Sequence, residues 1–181
     1  MNCKRILALW LHHNRLLQLA LSRTVRLLAP RNYIGVMGAI YNDQGQVLLV
    51  EHVFRIPWAW GLPGGWVEHG ESPAHALHRE VAEELNLAIQ VKKLLFCEPQ
   101  VSHWLSTTPK SLGVAYYCRS INQDAPLARM SQATHAYEIL SAAWFDPDHL
   151  NQALPALQRT AIALGKLEFH KEEALRKLST A

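Results

Sequence analysis

Four glutamates carry the first chemical signal in this chain. Glu80 lies three residues before Glu83 and four before Glu84, in a stretch that reads as a helix from Ala74 onward, and Glu71 stands just ahead of it. Carboxylates at such spacings on a helix repel by about 0.2–0.5 kcal/mol per pair. At 100° per residue, Ala74, Leu77, Val81 and Leu85 make one apolar face. Glu83, Glu80 and Glu84 fan over roughly 100° along its border, with Arg79 beside Glu83. A solvated acidic face is the ordinary reading of an acidic helix. It leaves three things unexplained: the apolar face alongside, the glycine-rich GLPGG that feeds the helix, and the acid at its mouth. A divalent cation accounts for all three. Mg²⁺ and Mn²⁺ take oxygen ligands, often carboxylates with waters and phosphate oxygens. A bound cation turns the repulsion into attraction; without one, a strained helix or a protonated glutamate is expected.

The elements that must hold these acids can be read in outline. Ser72 followed by Pro73 places an N-cap and a first helical position immediately before the acidic helix. Upstream, YIGVMGAIY and QVLLVEHV flank NDQG, the pattern of two strands joined by a hairpin turn. Downstream come AIQVKKLLFCEPQVSHWL, LGVAYYCRS and SAAWF as further strands, with STTPKS as an exposed turn. DPDHLNQAL reads as a helix start capped by Asp146 or Asp148. The tail from Pro155 reads as helical to about Leu178, broken at Gly165. Strands around one central helix, with helices at the end, predict an α/β fold in which a mixed sheet is covered on both sides.

Bulk composition narrows the function. A chain of 181 residues with 49% hydrophobic and 18% charged residues is globular and of single-domain length. The net charge of +3 is uneven: residues 1–31 hold six basic residues and no acid, so the remainder carries −3. That gives the body no nucleic-acid footprint. Residues 1–30 read as a basic amphipathic helix ended by Pro30. It packs on its own domain, pairs with a second copy in a homodimer, or makes a peripheral contact with an anionic membrane. Its apolar run, Ile6 to Leu11, is too short for a signal peptide or a membrane span. Cys3, Cys97 and Cys118 are far apart and odd in number, which indicates neither a zinc ribbon nor a disulfide framework, and fits a reducing cytoplasm.

Taken together, Gly65, Glu71, Arg79-Glu80-Val81, Glu83-Glu84 and Leu87 resemble the box of the Nudix hydrolases, G-x5-E-x7-R-E-U-x-E-E-x-G-U, where U is a bulky aliphatic residue. The one departure is Asn86 in place of the last glycine. It is mild, because asparagine also adopts the left-handed conformation that ends helices. WGLPGG before the box and AAWFDPDHL after it extend the likeness over about Arg31 to Leu150. The resemblance implies a Nudix-type α/β/α sandwich over residues 31–181 that hydrolyses a phosphoanhydride bond in a nucleoside diphosphate linked to another group. It further implies that the Gly65 carbonyl, Glu80 and Glu84 hold Mg²⁺ or Mn²⁺, with Glu83 a ligand or the base. Arg79 would orient the glutamates, and Glu71 would support them.

Outside the box, Arg55 and Trp58 are candidates to meet the phosphates or base of the substrate, and Glu138 to face the metal. Trp60 reads as structural. His69, His75 and His78 lack the cysteine partner a zinc site would want. ADP-ribose-like compounds come first as substrates and nucleoside triphosphates second. Two other classes stay open: a Nudix-fold binding module without turnover, and a membrane-associated hydrolase of a lipid-linked diphosphate.

Overall fold

The computed structural model describes residues 33–53, 55, 58–100, 111–121 and 139–179. The basic N-terminal segment, the STTPK turn and Glu138 lie outside the described residues. Six strands are seen among those described: β1 (Tyr33–Tyr41), β2 (Val47–His52), β3 (Trp60–Gly61), β4 (Ile89–Gln100), β5 (Ser111–Ser120) and β6 (Ile139–Phe145). Two helices accompany them, α1 (Pro73–Leu85) and α2 (Ala156–Ser179). The sheet runs β3-β2-β1-β5-β4, and β6 adds to β2. β1 and β5 are parallel from Tyr33↔Ser111 to Tyr41↔Arg119, while the other pairs are antiparallel, so the sheet is mixed as expected.

Alternation along the strands builds the two cores. In β1, Val36 and Ile40 face α1, where they meet Ala76, Leu77, Val81 and Leu85. Met37, Ala39 and Tyr41 face the other way and meet Ala161, Ile162 and Phe169 of α2. The period of two in the strand feeds both faces of one sheet, producing an α/β/α sandwich. Each fully buried Leu or Val on these faces contributes about 1.5–3 kcal/mol relative to exposure. Tyr41 adds a buried hydrogen bond from its hydroxyl to the Ile162 carbonyl, 2.7 Å.

The NDQG turn forms as read. Asn42 Oδ1 accepts the N–H groups of Gln44 (3.1 Å) and Gln46 (2.9 Å), and Gly45 takes the positive φ of 76°. β1 and β2 pair beside this turn at Tyr41↔Val47. Farther along, the backbone of β1 turns instead to the glycine-rich loop. Gly38 N–H reaches the Pro63 carbonyl (3.0 Å), Val36 N–H the Gly65 carbonyl (2.9 Å), and Val67 N–H the Ile34 carbonyl (2.9 Å). β3 meanwhile pairs with β2 at Val50↔Gly61. The loop is thus a wedge stitched between two diverging strands. That makes it a rigid platform.

Two expectations fail. Asp146 and Asp148 cap no helix: the Asp146 side chain accepts the Asp148 N–H (2.9 Å) in a local turn, and α2 begins only at Ala156, after Pro155. Gly165 does not break α2. It packs closely on the sheet, where a Cβ would lie 2.9 Å from Ala39 Cβ and 3.0 Å from Tyr41 Cε2.

Candidate active site

The acidic helix starts and stops where its residues predict. Ser72 is extended (φ −80°, ψ 150°) and its Oγ accepts the His75 N–H, with Pro73 at the first helical position. Asn86 ends the helix in the left-handed region (φ 50°, ψ 38°), its N–H bonded to the Ala82 carbonyl. The residue that departs from the box therefore does the work of the glycine it replaces.

The carboxylates gather around Arg79. Its Nε and Nη2 make a bidentate pair with Glu71, both at 3.1 Å. Nη1 donates to Glu80 Oε1 (3.1 Å) and to Glu83 Oε2 (3.4 Å). Nη2 also donates to the Trp66 carbonyl (3.0 Å). One guanidinium thereby ties the loop before the helix to two acids on it. The hydrogen bond to Glu71 raises the Arg79 pKa, and the same bond holds the Glu71 carboxyl below its ordinary value.

Glu80 sits differently from its neighbours. Its carboxylate lies directly on Gly65: a Cβ there would be 2.3 Å from Glu80 Cδ and Oε1. Burial pushes its carboxyl above the ordinary value, with Glu83 adding to the shift and Arg79 and the Trp66 N–H opposing it. Glu84 is buried on the same helix, at 5% exposure. Buried carboxylates are kept by pairing, hydrogen bonding or metal coordination.

These residues fit a hard divalent cation by donor chemistry, being oxygens of Glu80, Glu83, Glu84 and the Gly65 carbonyl. The glycine at position 65 is what lets loop and carboxylate approach. The Gly65 carbonyl already accepts the Val36 N–H, and a carbonyl has a second lone pair to offer. Among the described residues, no three His, Cys, Asp or Glu side chains form a ligand set on their own. Arg79 is the centre of the cluster. His69, His75 and His78 are all exposed.

Of the other expected site residues, Glu138 lies outside the described residues, while Arg55 and Trp58 lie ahead of the glycine loop. Arg55 reaches Gly61 and Gln158, at the start of α2: a Cβ on Gly61 would lie 2.8 Å from Arg55 Nη1 and 2.9 Å from Gln158 Oε1. Trp58 is half-buried between β2 and β3 in the chain. Trp60 packs edge-on against Phe145 at 5.1 Å, a structural role as read. Sequence reasoning missed Trp66. It follows the double glycine directly, its backbone touches Arg79 and Glu80, and its side chain is 47% exposed. An aromatic residue at the exit of a glycine loop was the signal available.

A glycine loop wedged into a mixed sheet and capped by a carboxylate helix defines a recognisable class of α/β/α sandwich. The chain belongs to the NUDIX family, whose domain matches residues 31–165. It is 26% identical to the MutT NUDIX hydrolase of Burkholderia pseudomallei, covering 75% of this chain and 98% of that one with a TM-score of 0.57. A NUDIX hydrolase of Nitrosomonas europaea shares the fold at 23% identity, with a TM-score of 0.59 over 74% of this chain and 87% of that one. Mouse 8-oxo-dGDP phosphatase NUDT18 is 34% identical over 39% of this chain and 22% of its own length. The RNA pyrophosphohydrolase of Ectopseudomonas mendocina is 39% identical over 37% of this chain and 40% of its own. The chain spans no more than about a third of the length of its nematode, frog and mouse relatives.

Proposed function

We propose that this Nudix-family enzyme hydrolyses a phosphoanhydride bond in a nucleoside diphosphate linked to a second group, in dependence on Mg²⁺ or Mn²⁺. ADP-ribose-like compounds are the first substrate class and nucleoside triphosphates the second. The observation that carries this reading is the Arg79 cluster, in which one cation orients Glu71, Glu80 and Glu83 while Glu80 rests on Gly65. The names of relatives, an 8-oxo-dGDP phosphatase and an RNA pyrophosphohydrolase among them, support phosphoanhydride chemistry.

Glu80, Glu83, Glu84 and the Gly65 carbonyl would hold the cation. When bound, it would neutralise the diphosphate and acidify a water that it carries. Arg79 keeps the carboxylates aimed by its charge-assisted bonds, so they need no reorganisation when substrate arrives. Glu80 or Glu83 accepts the proton of the attacking water. Arg55 and Trp58 precede the glycine loop and would meet the phosphates or the base of the substrate, and Glu138 would face the metal. A reducing cytoplasm is the setting we assign. Among the described residues, no helix is long and apolar enough to cross a membrane.

The test is a panel of nucleoside triphosphates and nucleoside-diphosphate derivatives, assayed with Mg²⁺, Mn²⁺ or EDTA, with products identified. Turnover that needs the cation and falls by orders of magnitude in Glu80→Gln, with that protein still folded, is expected. No turnover of any compound, or near-normal activity in Glu80→Gln, overturns the reading.

A further inference from the structure

The carboxylate cluster has a neighbour, on the α2 face of the sheet, that the box does not account for. Gly35 of β1 and Gly113 of β5 are register partners, alternating with the residues that face α1. A Cβ on Gly35 would lie 3.1 Å from Gln100 Oε1 and 3.7 Å from Trp66 Cζ3; one on Gly113 would lie 3.0 Å from the same Gln100 oxygen. Two paired glycines thus leave bare backbone over which the Gln100 amide and the Trp66 ring close. Trp66 stands edge-on to Tyr33, with centroids 4.4 Å apart at 82°. Tyr33 is 8% exposed, and its buried hydroxyl has no hydrogen-bond partner among the described residues. Buried hydroxyls are rarely left so. The Trp66 backbone, meanwhile, belongs to the carboxylate cluster through Arg79 and Glu80. One residue joins the two places.

We propose that Trp66, Gln100 and Tyr33 form the seat of the substrate's nucleobase, an inference that rests on the hydrolase reading above and adds where the base goes. An indole with half its surface in water offers a π-face for stacking. A primary amide presents a donor and an acceptor side by side, the complement of a base edge. A ligand edge reaching Tyr33 would supply the partner its hydroxyl lacks. None of the three residues is charged, so the seat selects a planar neutral group over a phosphate. The phosphates then fall on the acidic side of Trp66, where cations are expected.

The experiment titrates the full chain, in Mg²⁺, with AMP, GMP, CMP, UMP and ribose 5-phosphate, followed by the indole N–H resonances. At least one nucleotide should bind about tenfold or more tightly than ribose 5-phosphate. Trp66→Ala should abolish that excess while leaving ribose 5-phosphate within about twofold, because the position 66 backbone is retained; Trp66→Phe should keep most of it. Gln100→Leu should change the order of preference among the four bases. Nucleotides binding no tighter than ribose 5-phosphate, or an excess that survives Trp66→Ala, overturns the proposal. The two readings fail separately. Base binding through Trp66 without turnover of any diphosphate sinks the hydrolase alone. Turnover with a KM indifferent to Trp66→Ala sinks the seat alone.

Discussion

Adjacent glycines in the loop make a paired prediction, because they are required for different reasons. A Cβ on Gly65 would lie 2.3 Å from Glu80 Cδ and Oε1 and 2.7 Å from Oε2. Non-bonded atoms settle at about 3.5 Å, so the Glu80 carboxylate must retreat by about 1 Å. It can, being the end of a flexible side chain. Retreat takes Oε1 from Arg79 Nη1, now at 3.1 Å, and takes the carboxylate off the Trp66 N–H. Misplacing a reacting group by about 1 Å costs about 10²-fold in rate. Gly65→Ala should therefore lose about 10²-fold in kcat/KM while Tm falls by no more than about 4 °C, the equivalent of about 1 kcal/mol in a chain of this size. Gly64→Ala should behave in the opposite way. Its Cβ would lie 2.1 Å from the Val36 carbonyl oxygen and 2.9 Å from Met37 Cα, at a φ of +144°. Backbone cannot step aside as a side chain does. Overpacking and strain together cost about 3 kcal/mol or more, or about 10 °C in Tm. The assay is turnover of the best substrate from the panel beside a thermal melt. Wild-type turnover in Gly65→Ala, or a tolerated Gly64→Ala, would refute the account of the loop.

Three more outcomes follow, two from carboxylates that Arg79 holds and one from a glycine packed on the sheet. Burial raises the Glu80 carboxyl above its ordinary 4.5, so the folded chain holds that proton more tightly than the unfolded one. Its contribution is complete below pH 4.5 and is lost as pH rises through the raised value. In EDTA, Glu80→Gln should melt above wild type at pH 7, the gap closing toward pH 4.5; parallel curves would count against it. Glu71 runs the other way, because Arg79 depresses its carboxyl. Its contribution is present above pH 4.5 and lost as pH falls through the lowered value, so Glu71→Gln should melt below wild type at pH 7 and converge with it in acid. In α2, Gly165→Ala gains about 1 kcal/mol of helix propensity but forces a methyl against Ala39 and Tyr41, which costs about 1–3 kcal/mol. A net loss of a few degrees in Tm is expected, and a rise would remove Gly165 from the packing interface.

Local signals carried the acidic helix in full. Ser72, Pro73 and Asn86 act on backbone groups within three or four residues of themselves, and the apolar stripe of Leu77, Val81 and Leu85 needs only the helical period. The same locality misled at Gly165. Glycine weakens a helix by intrinsic propensity, but here the sheet surface rewards the absence of a side chain, and that contact spans more than 120 residues. DPDHLNQAL failed for a related reason, because aspartate that caps helices also closes turns and Pro155 had the better claim to the helix start. Trp66, Gln100 and Tyr33 come from three separate strands or loops, and no spacing in the chain announces that paired glycines let them meet.

The spacing within the box becomes intelligible once the loop is seen to return on itself. Between Gly65 and the helix, Glu68 and Glu71 bond each other: Glu71 N–H to the Glu68 carbonyl and Glu68 N–H to Glu71 Oε2, both at 3.2 Å, with Gly70 at a φ of +81°. That turn brings Glu71 back over the first two turns of α1, where Arg79 meets it. Arg79 then lies one residue from Glu80 and four from Glu83, within reach of both by helical geometry alone. Gly65 must carry no side chain, because the same return sets the Glu80 carboxylate against its Cα. A change in loop length of one residue would separate Glu71 from Arg79 and Gly65 from Glu80 together. Glu71, Glu80 and Glu83 tolerate their crowding because Arg79 is held from the loop side as well as from the helix, and its guanidinium donates to all three at once.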